Sequence, residues 1–231
     1  NPAVADAHPD YPVEVALVGA GVEKSRLIPD TPDFVSLQTY RGAPGYGLNS
    51  DAVWSIPGAR GDGVKFIDIE HGWWLNHEDL PDFFLEYHFD SPDAEYHGTA
   101  VLGEIVAQDN GYGMLGLAPN AEFGVIGTRY VSSAINGIVM AGEELDPGDV
   151  YILELHYYLS GDGYVPMEWF TSVRDAVYLN SLNGIICVEA AGNGNNNMDE
   201  FLPDFVRYTA TDCQAIMVGA ATPDGVTPFT F

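Results

Sequence analysis

Five polar residues stand at the ends or heads of otherwise apolar stretches in this chain, and each can do chemistry. Asp68 and Glu70 close the run Val64–Ile69, and Glu154 closes a run that begins at Asp149. His97 heads a helical pattern, with Gly98 and Thr99 leaving room around its ring, and Asn193 follows Ala190-Ala191-Gly192. A histidine can take a proton from a nucleophile and return it to a leaving group. A carboxylate beside it fixes the tautomer and stabilises the imidazolium. A preorganised amide stabilises an oxyanion. Together these are the parts of a hydrolase that attacks a carbonyl, short of the nucleophile. Each also has a plainer reading. His97 could cap a helix or fill a core, and Asn193 could be a turn residue in the run Gly194-Asn195-Asn196-Asn197. Asp68 could pair with Arg129 or Arg174.

The elements that would position these residues follow from apolar periodicity. Strands are predicted at Val64–Ile69, Ala121–Ile126, Asp149–Leu155, Ile185–Ala190 and Ala215–Ala220. Helices are predicted at His97–Ala107, Ser132–Ala141 and Val165–Asn183. In the last, Trp169, Phe170, Val173, Ala176 and Val177 fall at helical spacing, and Gly184 is the stop. Strands alternating with helices predict an α/β, three-layer fold with a mostly parallel sheet covered on both faces. Sites in such sheets form at the carboxyl ends of the strands, where the polar residues lie. Earlier in the chain, Val13–Val18 followed by Gly19-Ala20-Gly21 begins a dinucleotide fingerprint. Lys24 takes the place of its third glycine, and Pro29 and Pro32 leave no room for the helix, so an edge strand and a turn are predicted instead.

Composition narrows the functions. The apolar fraction of 46% is that of a globular chain. The formal net charge is −26, with Lys24 and Lys65 the only lysines, which makes nucleic acid a poor partner. Such a surface is either a solvated acidic face or the mark of a secreted, calcium-using or salt-adapted protein. No stretch of about 18 apolar residues occurs, so no membrane span is predicted. Cys187 and Cys213 could pair if their strands are neighbours, or remain two buried thiols.

Three segments resemble the subtilisin-like serine protease family. The first is Gly63-Val64-Lys65-Phe66-Ile67-Asp68-Ile69-Glu70-His71-Gly72, followed by His77-Glu78-Asp79-Leu80. The second is His97-Gly98-Thr99-Ala100, leading to Gly113-Met114-Leu115-Gly116-Leu117-Ala118-Pro119. The third is Ala190-Ala191-Gly192-Asn193-Gly194. The resemblance covers residues 31–231, which it makes the amino-terminal two-thirds of the family's catalytic domain, so the subtilisin-like fold is expected to be incomplete in this chain. Residues 1–30 are then an amino-terminal extension or the remnant of a pro-segment. It implies His97 as the base and Asn193 as the oxyanion donor. The acid position, counted from Gly63 and back from His77, falls on Glu70, with Asp68 as the alternative. Asp68 one step deeper would support Glu70 by sharing a proton.

Two departures qualify the resemblance. No Gly-Thr-Ser run followed by small residues occurs to supply the nucleophile. The serine is therefore expected outside this chain, on a companion chain or on a continuation of a fragment. The cleft wall, usually Ser, Leu and Gly in the family, reads Glu154-Leu155-His156, which is expected to contact substrate and to favour basic side chains or to narrow the pocket. The resemblance further implies a calcium site between Asp79 and the loop Gln108-Asp109-Asn110-Gly111-Tyr112-Gly113-Met114. Its ligands would be the Asp79 carboxylate, the Asn110 side chain and the carbonyls of Gln108, Tyr112 and Met114. The expected function is thus a secreted serine endopeptidase acting on proteins or peptides. A non-catalytic subunit or pseudoenzyme that binds peptides or a partner is the other reading. A glycosidic carboxylate pair at Asp68 and Glu70 has no aromatic sugar platform around it.

Overall fold

The computed structural model describes residues 13–15, 31–45, 47–88, 95–159, 163–197 and 212–222. Six strands form one sheet: β2 (Lys65–Glu70), β3 (Leu85–Tyr87), β4 (Glu122–Gly127), β5 (Val150–Leu153), β8 (Ile186–Ala190) and β9 (Ile216–Val218). Their order across the sheet is β3-β4-β2-β5-β8-β9, and every neighbouring pair is parallel. A second, three-stranded antiparallel sheet joins β1 (Val13–Val15), β6 (Leu155–Leu159) and β7 (Gly163–Pro166), with β1 at an edge.

Strand alternation divides the core in two. Phe66, Phe123, Val125 and Ile152 face α2 (Glu95–Val106), where Leu102 and Val106 are buried against them. Ile67, Ile69, Ile126 and Leu153 face the opposite side, against α3 (Ala134–Glu144) and α4 (Thr171–Leu182). The result is the expected three-layer α/β arrangement, in which each strand of the sheet centre is buried on both faces.

Local chemistry sets the element ends. The last carbonyls of α2 are taken up by the returning chain, with Leu117 N–H on Glu104 O at 2.9 Å and Ala118 N–H on Ile105 O at 2.8 Å. Gly116 permits this approach, since a Cβ there would lie 2.4 Å from the Ile105 carbonyl. Ser133 caps α3 by accepting the Asn136 N–H. Gly184 stops α4 in the left-handed region, at φ +80°.

Two predicted elements differ. The helix predicted from Val165 begins only at Thr171. Residues 163–166 instead form β7, and Met167–Trp169 form one 3-10 turn. Pro166 lacks the N–H a helix interior requires, and Gly163 adopts φ +80°, so the chain turns before it can coil. The strand predicted over Asp149–Leu155 breaks at Glu154, and Leu155 starts β6 in the other sheet. The Gly19-Ala20-Gly21 turn lies outside the described residues.

Beyond the reach of α2, the sheet face carrying Ile186, Ile216 and Val218 is exposed among the described residues. These side chains keep 39%, 54% and 52% of their exposure.

Candidate active site

β2 delivers two carboxylates to one face, and the structure gives them different partners. Glu70, fully buried at the carboxyl end of the strand, meets Nδ1 of His97 through Oε1. His97 sits in the first turn of α2 with its side chain 10% exposed. Asp68, also fully buried, accepts the indole N–H of Trp73 on Oδ2 at 2.7 Å. It makes no hydrogen bond to Glu70 and no ion pair with Arg129 or Arg174 among the described residues, because Trp73 folds back beneath it. Trp73 was not singled out in the sequence, and only its position just after the Gly72 turn marks it.

Close backbone approach fixes the histidine over the strand. A Cβ on Gly98 would lie 2.5 Å from both the Gly72 carbonyl and Nε1 of Trp73, so only glycine lets the first turn of α2 press down here. Thr99 Oγ1 accepts the Trp74 N–H at 2.8 Å. The end of β2 is tied to the chain leaving β4, where Thr128 N–H donates to Glu70 O at 2.8 Å.

The carboxylates around His97 share a strongly acidic, poorly solvated setting. Burial pushes Asp68 well above the usual carboxylate range, and the neighbouring Glu70 charge pushes it further. Burial likewise raises Glu70, with Glu154 adding to it. Glu154 is raised by burial, opposed by His97. Glu104, also raised by burial, feels the same imidazole. Glu104 escaped the sequence reading. Its signal was its spacing of seven from His97, two turns along one helix face.

Asn193 leaves β8 at the same carboxyl edge, two strands from Glu70 across β5. Its backbone N–H donates to Nδ1 of His156 at 3.4 Å. Of the expected cleft wall, Glu154 is half-buried beside the site, but Leu155 is fully buried in the α3/α4 core and offers nothing to a surface. His156 is 2% exposed and stacked on Tyr164 with ring centroids 4.2 Å apart. The parity of β6 turns Leu155 inward, so as placed these two residues support the wall rather than form it.

Asp79 and the 108–114 loop lie against each other. Asp79 is 4% exposed; Oδ1 accepts Asn110 Nδ2–H at 2.9 Å and Oδ2 accepts Met114 N–H at 2.9 Å. The Gln108 N–H donates to the Asp79 carbonyl at 2.8 Å, and the Tyr112 hydroxyl to the Glu78 carbonyl at 3.2 Å. Gly113 packs so tightly that a Cβ would overlap the Asp79 carboxylate. Neutral N–H groups are the side-chain carboxylate's partners among the described residues, and Asn110 Oδ1 is turned to the Tyr112 N–H at 3.1 Å, so a cation here would have to draw on the Asp79 carboxylate and the loop carbonyls. Cys187 on β8 and Cys213, three residues ahead of β9, are buried free thiols, with Cys213 donating to Glu168. No described helix is long and apolar enough to cross a membrane.

No family model matches the chain. Subtilisin DY of Bacillus licheniformis is 29% identical over 184 residues, which cover 75% of this chain and 61% of that protein. An intracellular serine protease of Paenibacillus polymyxa is 30% identical over 200 residues, covering 77% of this chain and 55% of that protein. The chain thus spans little more than half the length of these relatives. Among solved structures, MycP1 from the ESX-1 type VII secretion system superposes with a TM-score of 0.56 at 17% identity, covering 98% of this chain and 67% of that one. MycP1 with its N-terminal propeptide removed gives 0.54 at 19% identity, covering 80% and 64%. At such identities these structures speak for the fold alone.

Proposed function

This chain is related to the subtilisin-like serine proteases in sequence and in fold, and from that premise we propose that it carries the base, acid and oxyanion donor of a serine endopeptidase whose nucleophilic serine lies outside these 231 residues. The observation that carries the reading is the contact of His97 Nδ1 with Glu70 at the carboxyl edge of the sheet. The carboxylate meets Nδ1, so the serine proton would be taken up at Nε2 and returned from it to the leaving amine. Glu70 then fixes the tautomer. Asn193 lies on the same edge and would donate to the oxyanion.

The serine would arrive with a companion chain or a further segment seated on the open face at Ile186, Ile216 and Val218. Three apolar side chains exposed together on that face are what supports seating a further element there. Substrates are proteins or peptides. Calcium would be held by Asp79, Asn110 and the carbonyls of Gln108, Tyr112 and Met114, where it would tie the 108–114 loop to the Asp79 segment. Secretion, with removal of a pro-segment, completes the reading, and cell fractionation checks it.

A serine-directed fluorophosphonate tests the assignment in the intact protein. The expected label is on a serine outside these residues, and it is lost in His97→Ala. No label under conditions where the protein is folded would instead favour the peptide-binding subunit, which the missing Gly-Thr-Ser run also supports.

A further inference from the structure

Glu70 uses only one of its two oxygens. Oε1 meets His97, whereas Oε2 is buried and has no partner among the described residues. A buried carboxylate oxygen without a donor is costly, and native interiors rarely leave one. The donor must come from beside the strand. Ile69 and Leu153 are register partners across β2 and β5, about 4.8 Å apart in the pairing direction. The next residue on each chain is therefore Glu70 and Glu154. Both follow an Ile69–Leu153 pair that faces α3 and α4, so both turn toward α2 and His97. Glu154 is half-buried, and among the described residues no hydrogen bond engages its carboxyl. Two neighbouring carboxyls, one with an orphaned acceptor and one unbonded, are complementary if they hold one proton between them.

We propose that Glu154 is a positioning residue that donates a shared carboxyl proton to Oε2 of Glu70, completing the His97–Glu70 pair from its far side. The inference rests on reading His97 and Glu70 as base and acid. The position expected to hold a small serine in a cleft wall is here part of the charge-holding apparatus. Burial and mutual repulsion both favour keeping one proton on the pair, since two ionised carboxylates side by side in a poorly solvated site repel. The other charged groups facing it are His97 and Glu104 from α2 and Asp68 from β2, the last already engaged by Trp73. The shared proton leaves the pair with a single negative charge, so His97 faces one counter-charge rather than two.

Carbon-13 labelling of glutamate carboxyls in the intact protein reads the proton directly. In the wild type, Glu70 and Glu154 should titrate together, with one proton retained well above the ordinary carboxylate range. Glu154→Gln keeps an N–H donor but cannot ionise, so Glu70 should lose the coupled titration and its midpoint should fall by about one unit or more. Glu154→Leu removes the repulsion without replacing the donor, so Glu70 should titrate above its Gln-variant value. Equal midpoints in the Gln and Leu variants, or independent titration of the two wild-type carboxyls, would overturn the shared proton. In a separate arm, the His97 ring titration is followed in Glu70→Gln. A ring that does not respond refutes the His97–Glu70 reading itself, whatever Glu154 does.

Discussion

Glu70 stands one side-chain repeat beyond Asp68 on β2, and that single step separates a carboxylate that meets an imidazole from one that meets an indole. Both are fully buried and on the same face, so position along the strand decides their roles. The outer residue reaches the edge where α2 begins. The inner one is sealed by Trp73.

The two acids should therefore respond differently to neutralisation. Glu70→Gln is expected to lower kcat on the order of 10⁴-fold in the intact enzyme, the scale seen when a triad carboxylate becomes an amide. Asp68→Asn keeps an acceptor for the Trp73 N–H and should cost less than tenfold. Steady-state kinetics on a peptide substrate check this. Equal losses would mean that the two act as one unit.

The strand ends were legible in the sequence because buried apolar runs stop where a polar residue appears, and the carboxyl edge of a parallel sheet is where such residues gather. Counting along the family resemblance, from Gly63 and back from His77, put the acid on Glu70 with Asp68 as the alternative, and the contact with His97 belongs to Glu70. The contents of the cleft wall were not legible. Leu155 looked like the end of the strand that opens at Asp149, and nothing local signals that the chain changes sheets at Glu154. The helix boundary at Thr171 was overrun because Trp169 and Phe170 happen to fall at helical spacing. Pro166 was the countervailing signal. The partner of Asp68 was hidden for another reason: an indole five residues away reaches back only because the Gly72 turn and Gly98 allow the backbones to close.

Glu189 makes stability depend on pH away from the active site. It is 1% exposed on β8, with no partner for Oε1 among the described residues, and burial pushes its carboxyl from 4.5 up to about 8. The folded state holds this proton after the unfolded chain has lost it. The stabilisation is complete below the unfolded value and drains away as pH rises toward the folded one, a window of 4.5 to about 8. Within it, one proton corresponds to a slope of about 1.4 kcal/mol per pH unit. Urea unfolding across the window should show stability falling, and Glu189→Gln should remove that one-proton component. An unchanged slope in the variant would assign the pH dependence to other carboxyls.

Calcium should act through Asp79 alone among the loop's carboxylates, because Asp109 points away to pair with Arg60 at 3.0 Å. Asp79 is nearly buried with two neutral N–H partners, and a cation there would offset the cost of its charge. The ion would bind the folded loop and not the unfolded chain. At a hundredfold excess over Kd, such a ligand stabilises by about 2.7 kcal/mol. Thermal melts of the intact protein should therefore shift upward with calcium and downward with chelator. Asp79→Asn keeps an oxygen that can accept the Met114 N–H but removes the charge that makes the site attractive, so its midpoint should not respond to either. A wild-type midpoint unmoved by millimolar calcium would mean that the Asn110 and Met114 N–H groups satisfy Asp79 by themselves, and that the loop closes around a carboxylate instead of an ion.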